Sequence, residues 1–250
     1  MSEKIVFWDI ETSTMTVRTF SLYPEKINHS DIIQDWYIIC ACWVEGDNKS
    51  IKSVSVLDDP KRFKKDPRDD YYVVKKMHDV MTEADTIVAH NGDKFDWKKL
   101  NARVVYHKLP PLPPITKIDT LKVAREFQFS SKALDYLGKH LGTGGKIHTS
   151  TGLWERCEIG DKKALKEMVK YNKQDVIALR NLYKRLAPYT NKVSVSTIGR
   201  CTNSDCNSTH LIKQGFRKGK VNTFQKWQCQ DCGRWCQSRL PLKLEKPTIV

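Results

Sequence analysis

The stretch from Trp36 to Val44, WYIICACWV, is the longest apolar run in the chain, and it limits the fold more than any other feature. It is too short to cross the hydrocarbon core of a bilayer, which takes about 20 residues of helix. It reads instead as a buried strand. Other strands surround it in sequence: Lys4–Ile10 is apolar, Lys52–Leu57 alternates polar and apolar residues, and Thr86–Ala89 and Ile115–Ile118 are short. Helical spacing marks Tyr72–Glu83, Lys94–His107 (ended by LPPLPP), Thr120–Phe127 and Ser131–Leu141 (stopped by GTGG). Two further helices are expected, from about Lys162 to Val169 and from Asn172 to Leu186. Residues 13–34 and 58–70 show no clear period and read as surface loops. Strands first and mainly helices afterwards predict an α/β fold, a mixed sheet with helices on its faces.

A few acidic residues stand at the edges of these elements. Asp9 and Glu11 end VFWDIE; in a strand, residues two apart share a face. Asp96 closes HNGDKFD, where Asn-Gly signals a turn and the acid falls in the first turn of a helix. Tyr171 and Asp175 are four apart on one helical face. Each piece has an ordinary reading: a solvated strand end, an acid favoured by the helix dipole, a core aromatic beside an exposed acid. Together they can converge. Converging carboxylates repel unless a hard cation neutralises them, and oxygen donors suit Mg²⁺ or Mn²⁺. Phosphodiester hydrolysis with two metals roughly 4 Å apart is the work such a site does. A tyrosine beside a metal-bound carboxylate can orient the attacking water.

Charge points the same way. The chain carries 43 Lys and Arg against 29 Asp and Glu, a net charge of +14. Such a balance suits a polyanionic partner, nucleic acid first and an anionic membrane surface second. The start, MSEKIVFWDIE, has no signal-peptide pattern and enters a strand almost at once, which leads us to expect a cytoplasmic protein with reduced cysteines.

The cysteines are uneven. Cys40, Cys42 and Cys157 are scattered, and the first two read as core filler. The other five fall between Cys201 and Cys236. Four residues separate Cys201 from Cys206, two separate Cys229 from Cys232, and 22 lie between the pairs. Two close pairs around a hairpin-sized insert are the pattern of a four-thiolate zinc site, with Cys236 a spare and His210 a less favoured ligand. From residue 191 onward, 11 Lys and Arg stand against 3 Asp and Glu, a net charge of +8. The insert mixes Phe216, Phe224, Trp227 and Trp235 with cations, a combination able to stack bases and contact phosphates, although such rings also serve as a small module's core. We expect one domain over 1–190, a ribbon module over 196–240 and a tail over 241–250.

The three acidic segments resemble the motifs of the DEDD superfamily of 3′–5′ exonucleases: D-x-E at Asp9 and Glu11, N-G-x-x-F-D from Asn91 to Asp96, and Y-x-x-x-D at Tyr171 and Asp175. The resemblance covers about residues 4–188. Lys170 stands where the His-type branch would place histidine, so the Tyr-type branch is implied. It implies an RNase H-like fold and two catalytic Mg²⁺ or Mn²⁺ ions held by Asp9, Glu11, Asp96 and Asp175. By the same resemblance, Asp9 is expected to bridge both ions and Tyr171 to assist. Ile10, Thr12, Asn91 and Phe95 position the terminal nucleotide of a substrate, DNA favoured, with a free 3′ end. The C-terminal segment is similar to zinc ribbons of some transposases, with one structural Zn²⁺. Two rivals remain: a structure-selective endonuclease of the same fold, and a non-catalytic nucleic-acid-binding protein.

Overall fold

Strand β1 (Ile5–Thr12) runs through the middle of the sheet because its first four residues, Ile5, Val6, Phe7 and Trp8, are all buried. In this computed structural model, residues 4–24, 26–145, 147, 149–189, 199–203, 206–218, 222–237 and 242 are described. After β1, a small pair forms from β2 (Thr16–Val17) and β3 (Ile32–Gln34). The apolar run supplies β4 (Ile38–Glu45), buried at every position but its last. β5 (Lys52–Ser55), β6 (Thr86–Ala89) and β7 (Thr116–Asp119) complete a five-stranded sheet of order β5-β4-β1-β6-β7. β4 is antiparallel to both β1 and β5, whereas β6 is parallel to β1 and to β7. The sheet is therefore mixed, and the carboxyl ends of β1, β6 and β7 open on one side. In open α/β sheets that side is where ligands bind.

The helices are α1 (Pro60–Lys65), α2 (Tyr71–Thr82), α3 (Asp96–Tyr106), α4 (Thr120–Ala124), α5 (Leu134–His140), α6 (Leu153–Glu158) and α7 (Lys162–Leu186). Helix α2 buries Val73, Val74, Met77 and Met81, one apolar stripe at helical spacing. Asp70, wholly buried just before it, ties three elements together. It accepts from Arg103 Nε and Nη2 at 2.7 and 2.6 Å, from His107 Nε2 at 2.6 Å and from the Ile38 amide at 2.9 Å. Burial alone would raise its pKa, but the His107 and Arg103 donors outweigh that and hold it below the usual carboxylate range.

The structure differs from the sequence expectation in four places. Residues 13–34, expected as loop, hold the paired strands β2 and β3, each too short to show a period. The two helices expected after Lys162 are one 25-residue helix, since the apolar spacing carries through Met168, Val176, Leu179 and Leu182 without a break. The stretch at 58–70 holds α1, which Asp59 caps by accepting from the Arg62 amide at 3.1 Å while Pro60 sits at the first turn. Helix α6 has no counterpart in the expected elements; left-handed Gly152 precedes it, and only Leu153 and Cys157 are buried, too little to show a period. No helix among the described residues is long and apolar enough to cross a membrane.

The chain divides into two units, Met1–Leu182 and Tyr183–Val250. The expected linker between 190 and 196 lies outside the described residues, as does the tail apart from Leu242. In the second unit β8 (Leu211–Lys218), β9 (Thr223–Cys229) and β10 (Trp235–Gln237) form an antiparallel sheet of order β10-β9-β8.

Candidate active site

Asp9, Glu11 and Asp175 meet at the open end of the sheet. Their carboxylate oxygens lie within 4.8 Å of one another. β1 supplies the first two from one face, while the intervening Ile10 points into the core at 2% exposure. Helix α7 supplies Asp175, itself 3% exposed. Opposite Asp9 and Glu11 on β4 lie Cys42 and Cys40, on the same face of the sheet. Both thiols are buried and pushed up in pKa, first by desolvation and then by neighbouring groups including the carboxylates, so they floor the site as neutral groups.

Asp96 is not part of that cluster. It stands one strand position away, its Oδ1 accepting the Ile10 amide at 3.2 Å. That amide is available because β1 pairs with β6 only over Ile5–Phe7, so the strand edge beyond is open. The Asn91–Gly92 turn aims Asp96 there. Asn91 has φ 65°, a left-handed conformation that asparagine tolerates. A Cβ on Gly92 would lie 2.4 Å from the Ala89 Cβ, so only glycine permits this close passage. Burial pushes the Asp96 pKa up to about 7, against hydrogen bonds from the Ile10 and Asp96 amides, and the Asp119 charge adds to the rise. Asp119 serves as the cap of α4, its Oδ1 accepting Leu121 N at 3.0 Å and Asn91 N at 2.8 Å. Its buried Oδ2 accepts no hydrogen bond from the described residues.

Tyr171 is half-buried and packs edge-on to Trp154, with ring centroids 6.1 Å apart. Thr12 is half-buried at a register shift of β1, and Phe95 is 39% exposed just before α3. The sequence reading misses one residue of the site. Asn172 is wholly buried, and its Nδ2 donates to Asp9 Oδ2 at 2.5 Å. Its signal was present: it lies three residues before Asp175, on the same helical face.

The donor set is all oxygen and clustered, with Asp175 buried and Asp9 and Glu11 partly open to solvent, an arrangement that suits a hard divalent cation. The second unit offers a different set. Cys201, Cys206, Cys229 and Cys232 bring their sulfurs within 4.8 Å of one another. Cys201 lies 3.5 Å from Cys232, and Cys206 3.6 Å from Cys229. Those separations are too long for disulfides and close to the roughly 3.8 Å edge of a tetrahedron with Zn–S bonds of about 2.3 Å. Cys236 stays outside the four, its sulfur near the Thr202 amide and hydroxyl at 3.5 and 3.4 Å. His210 also lies apart, 3.4 Å from Asp231. The register sorts the aromatics. Trp227 shares the cysteine side with Cys229, Cys236 and Leu211, whereas Phe224 and Trp235 lie on the other face near Arg217 and Lys226.

No curated protein matches the chain. Among solved structures, the family B DNA polymerase from the hyperthermophilic archaeon Pyrobaculum calidifontis is similar to it. The TM-score is 0.57 at 15% sequence identity, over 90% of this chain and 32% of the polymerase's length, a likeness of fold. The model of the RNase H superfamily matches residues 6–187, a span that holds all of the five-stranded sheet but Ile5, together with Asp9, Glu11, Asp96, Asp119 and Asp175. The chain belongs to the RNase H superfamily.

Proposed function

We propose that the chain is a metal-dependent 3′–5′ exonuclease of the Tyr-type DEDD branch, with DNA the favoured substrate and the C-terminal module a zinc ribbon that helps hold it. The observation that carries this reading is the convergence of Asp9, Glu11 and Asp175 at the carboxyl end of β1. Residues 1–190 form the nuclease domain, 196–240 the ribbon and 241–250 a tail, in a cytoplasmic protein. Asp9, Glu11 and Asp175, with Asp96 beside them, hold two Mg²⁺ or Mn²⁺ ions. When bound, the ions supply Lewis acidity and a more acidic water.

The chain's own residues do the rest. Asn172 fixes the rotamer of Asp9 by donating to its Oδ2. Tyr171, braced by Trp154, directs its hydroxyl to the attacking water. Asn91, Phe95, Thr12 and the Ile10 backbone bound the space for the terminal nucleotide. The four cysteines hold one Zn²⁺ as thiolates. The occurrence of a similar fold in a DNA polymerase favours DNA over RNA.

The test is a time course with Mg²⁺ or Mn²⁺ on single-stranded DNA, duplex DNA and RNA, each labelled at its 5′ end, beside circular single-stranded DNA. Stepwise shortening from the 3′ end with the circle left intact is expected. Cutting of the circle would mean an endonuclease, and no cleavage of any substrate would leave a binding protein.

A further inference from the structure

One face of α3 carries a row of aromatic rings and cations that begins at the residue before Asp96, whose carboxylate accepts the Ile10 amide between Asp9 and Glu11, and leads away from it. Phe95, Lys99, Arg103 and Tyr106 follow one another at steps of four, four and three, so they share that face. The Lys99 ammonium lies 5.6 Å from the Phe95 ring and 3.6 Å over the ring of Trp36, which comes from the segment before β4. The Arg103 guanidinium lies 5.8 Å from Trp36 and 4.1 Å over Tyr106. The row covers about 16 Å along the helix at about 1.5 Å per residue.

Two features separate this row from ordinary packing. First, its two ends face water: Phe95 is 39% exposed and Tyr106 67% exposed. A ring recruited only for packing would be covered. Second, one of its cations is clamped and the other is left without an ion pair. Arg103 is clamped by the buried Asp70 through two hydrogen bonds, which presents Tyr106 on a fixed guanidinium. Lys99 makes no ion pair among the described residues, although it is less than half exposed. Fixed exposed rings with a cation between them, starting at the residue before Asp96, match an anion that carries flat apolar groups at intervals. Stacking and phosphate contact of this kind are sequence-tolerant and need unpaired bases.

We infer that this face of α3 is the track of a single-stranded polynucleotide leading to the carboxylate site, with a base on Tyr106, a phosphate at Lys99 and the strand's end beyond Phe95. The track rests on the nuclease reading and adds that the chain prefers substrates long enough to reach Tyr106. A duplex keeps its bases inside and gains nothing from the row.

The test uses the full chain with its thiolate site undisturbed. Hydrolysis of oligothymidylates from about two to about twelve nucleotides is compared for wild type, Tyr106→Ala, Tyr106→Phe and Lys99→Gln, a range bracketing known single-strand site sizes. Wild type should cleave the longest at a higher kcat/KM than the dinucleotide. Tyr106→Ala should lose roughly tenfold on the longest, as expected for one base stack, and nothing on the dinucleotide. Tyr106→Phe should match wild type, because the ring stacks and the hydroxyl does not. Lys99→Gln should lower kcat/KM on the longest and flatten its salt dependence. Equal length dependence in wild type and Tyr106→Ala overturns the track. If wild type hydrolyses nothing, the nuclease reading has failed on its own. The track is then judged by fluorescence anisotropy of a labelled twelve-mer without Mg²⁺: a several-fold weaker Tyr106→Ala supports it, and equal affinity overturns it.

Discussion

Replacing Asp175 by Asn should stabilise the protein when Mg²⁺ and Mn²⁺ are absent and make it blind to them when they are present. Carboxylate oxygens of Asp9, Glu11 and Asp175 lie within 4.8 Å of one another. At that separation two unit charges repel by about 3.5 kcal/mol at an effective dielectric constant of about 20. Asp9 and Glu11 are partly open to solvent, which screens roughly half of this and leaves about 1–2 kcal/mol per pair. Asparagine keeps the shape and removes the charge. Two of the three pairs involve Asp175, and a gain of about 2–4 kcal/mol in a chain of this size raises Tm by about 4–16 °C. Metal acts in the opposite direction. Wild type in divalent ion at about a hundred times its Kd gains about 2.7 kcal/mol by mass action, and a variant that no longer binds gains almost nothing. Scanning calorimetry of both proteins would show it, before and after addition of Mn²⁺, with dialysis instead of chelator so that the thiolate site is left undisturbed. Asp175→Asn should also lose hydrolysis. A variant that melts several degrees below wild type without Mn²⁺, or gains as much from Mn²⁺, would refute the argument that the cluster is a strained, cation-seeking site.

Tyr171→Phe keeps the ring against Trp154 and loses only the hydroxyl; we expect a clear fall in kcat, smaller than for Asp175→Asn, with unchanged Mn²⁺ binding by calorimetric titration. Asp70→Ala leaves Arg103 and His107 without their buried acceptor and should cost about 3–5 kcal/mol in urea unfolding. Because the Asp70 pKa is lowered on folding, its contribution is in place above the ordinary carboxylate pKa of about 3.9 and is lost as pH falls through the folded value; wild type should therefore lose its margin over Asp70→Ala in strong acid. Elemental analysis of protein purified without chelator should find one zinc per chain. Removing residues 191–250, which carry +8 of the net +14, should weaken oligonucleotide binding and reduce its salt slope by about 0.7–0.9 for each phosphate that is no longer neutralised, while 3′ trimming at saturating substrate continues.

Much of the site was legible in the sequence, because strand and helix periods place side chains by simple counting. A spacing of two put Asp9 and Glu11 on one face of β1, four put Asp175 below Tyr171, and the cysteine spacing gathered four sulfurs. The apolar run at Trp36–Val44 likewise marked a buried strand, observed as β4 from Ile38 onward, with half-buried Trp36 just before it. What counting along one element cannot supply is which groups from different elements touch. That Asp96 seeks the Ile10 amide follows from where β6 stops pairing with β1, a property of the sheet. The bond from Asn172 to Asp9 spans 163 residues, and the fixed charges of the Asp70 cluster join three elements. Cys40 and Cys42 read as core filler, and they are buried; only the register of β4 on β1 set them beside the carboxylates. In the cysteine module, pairing of β8, β9 and β10 decided that Trp227 packs on the sulfurs while Phe224 and Trp235 face away. Periodicity is a one-dimensional property that each segment carries by itself; register and long-range hydrogen bonds depend on how the elements pack, and only the folded chain determines that.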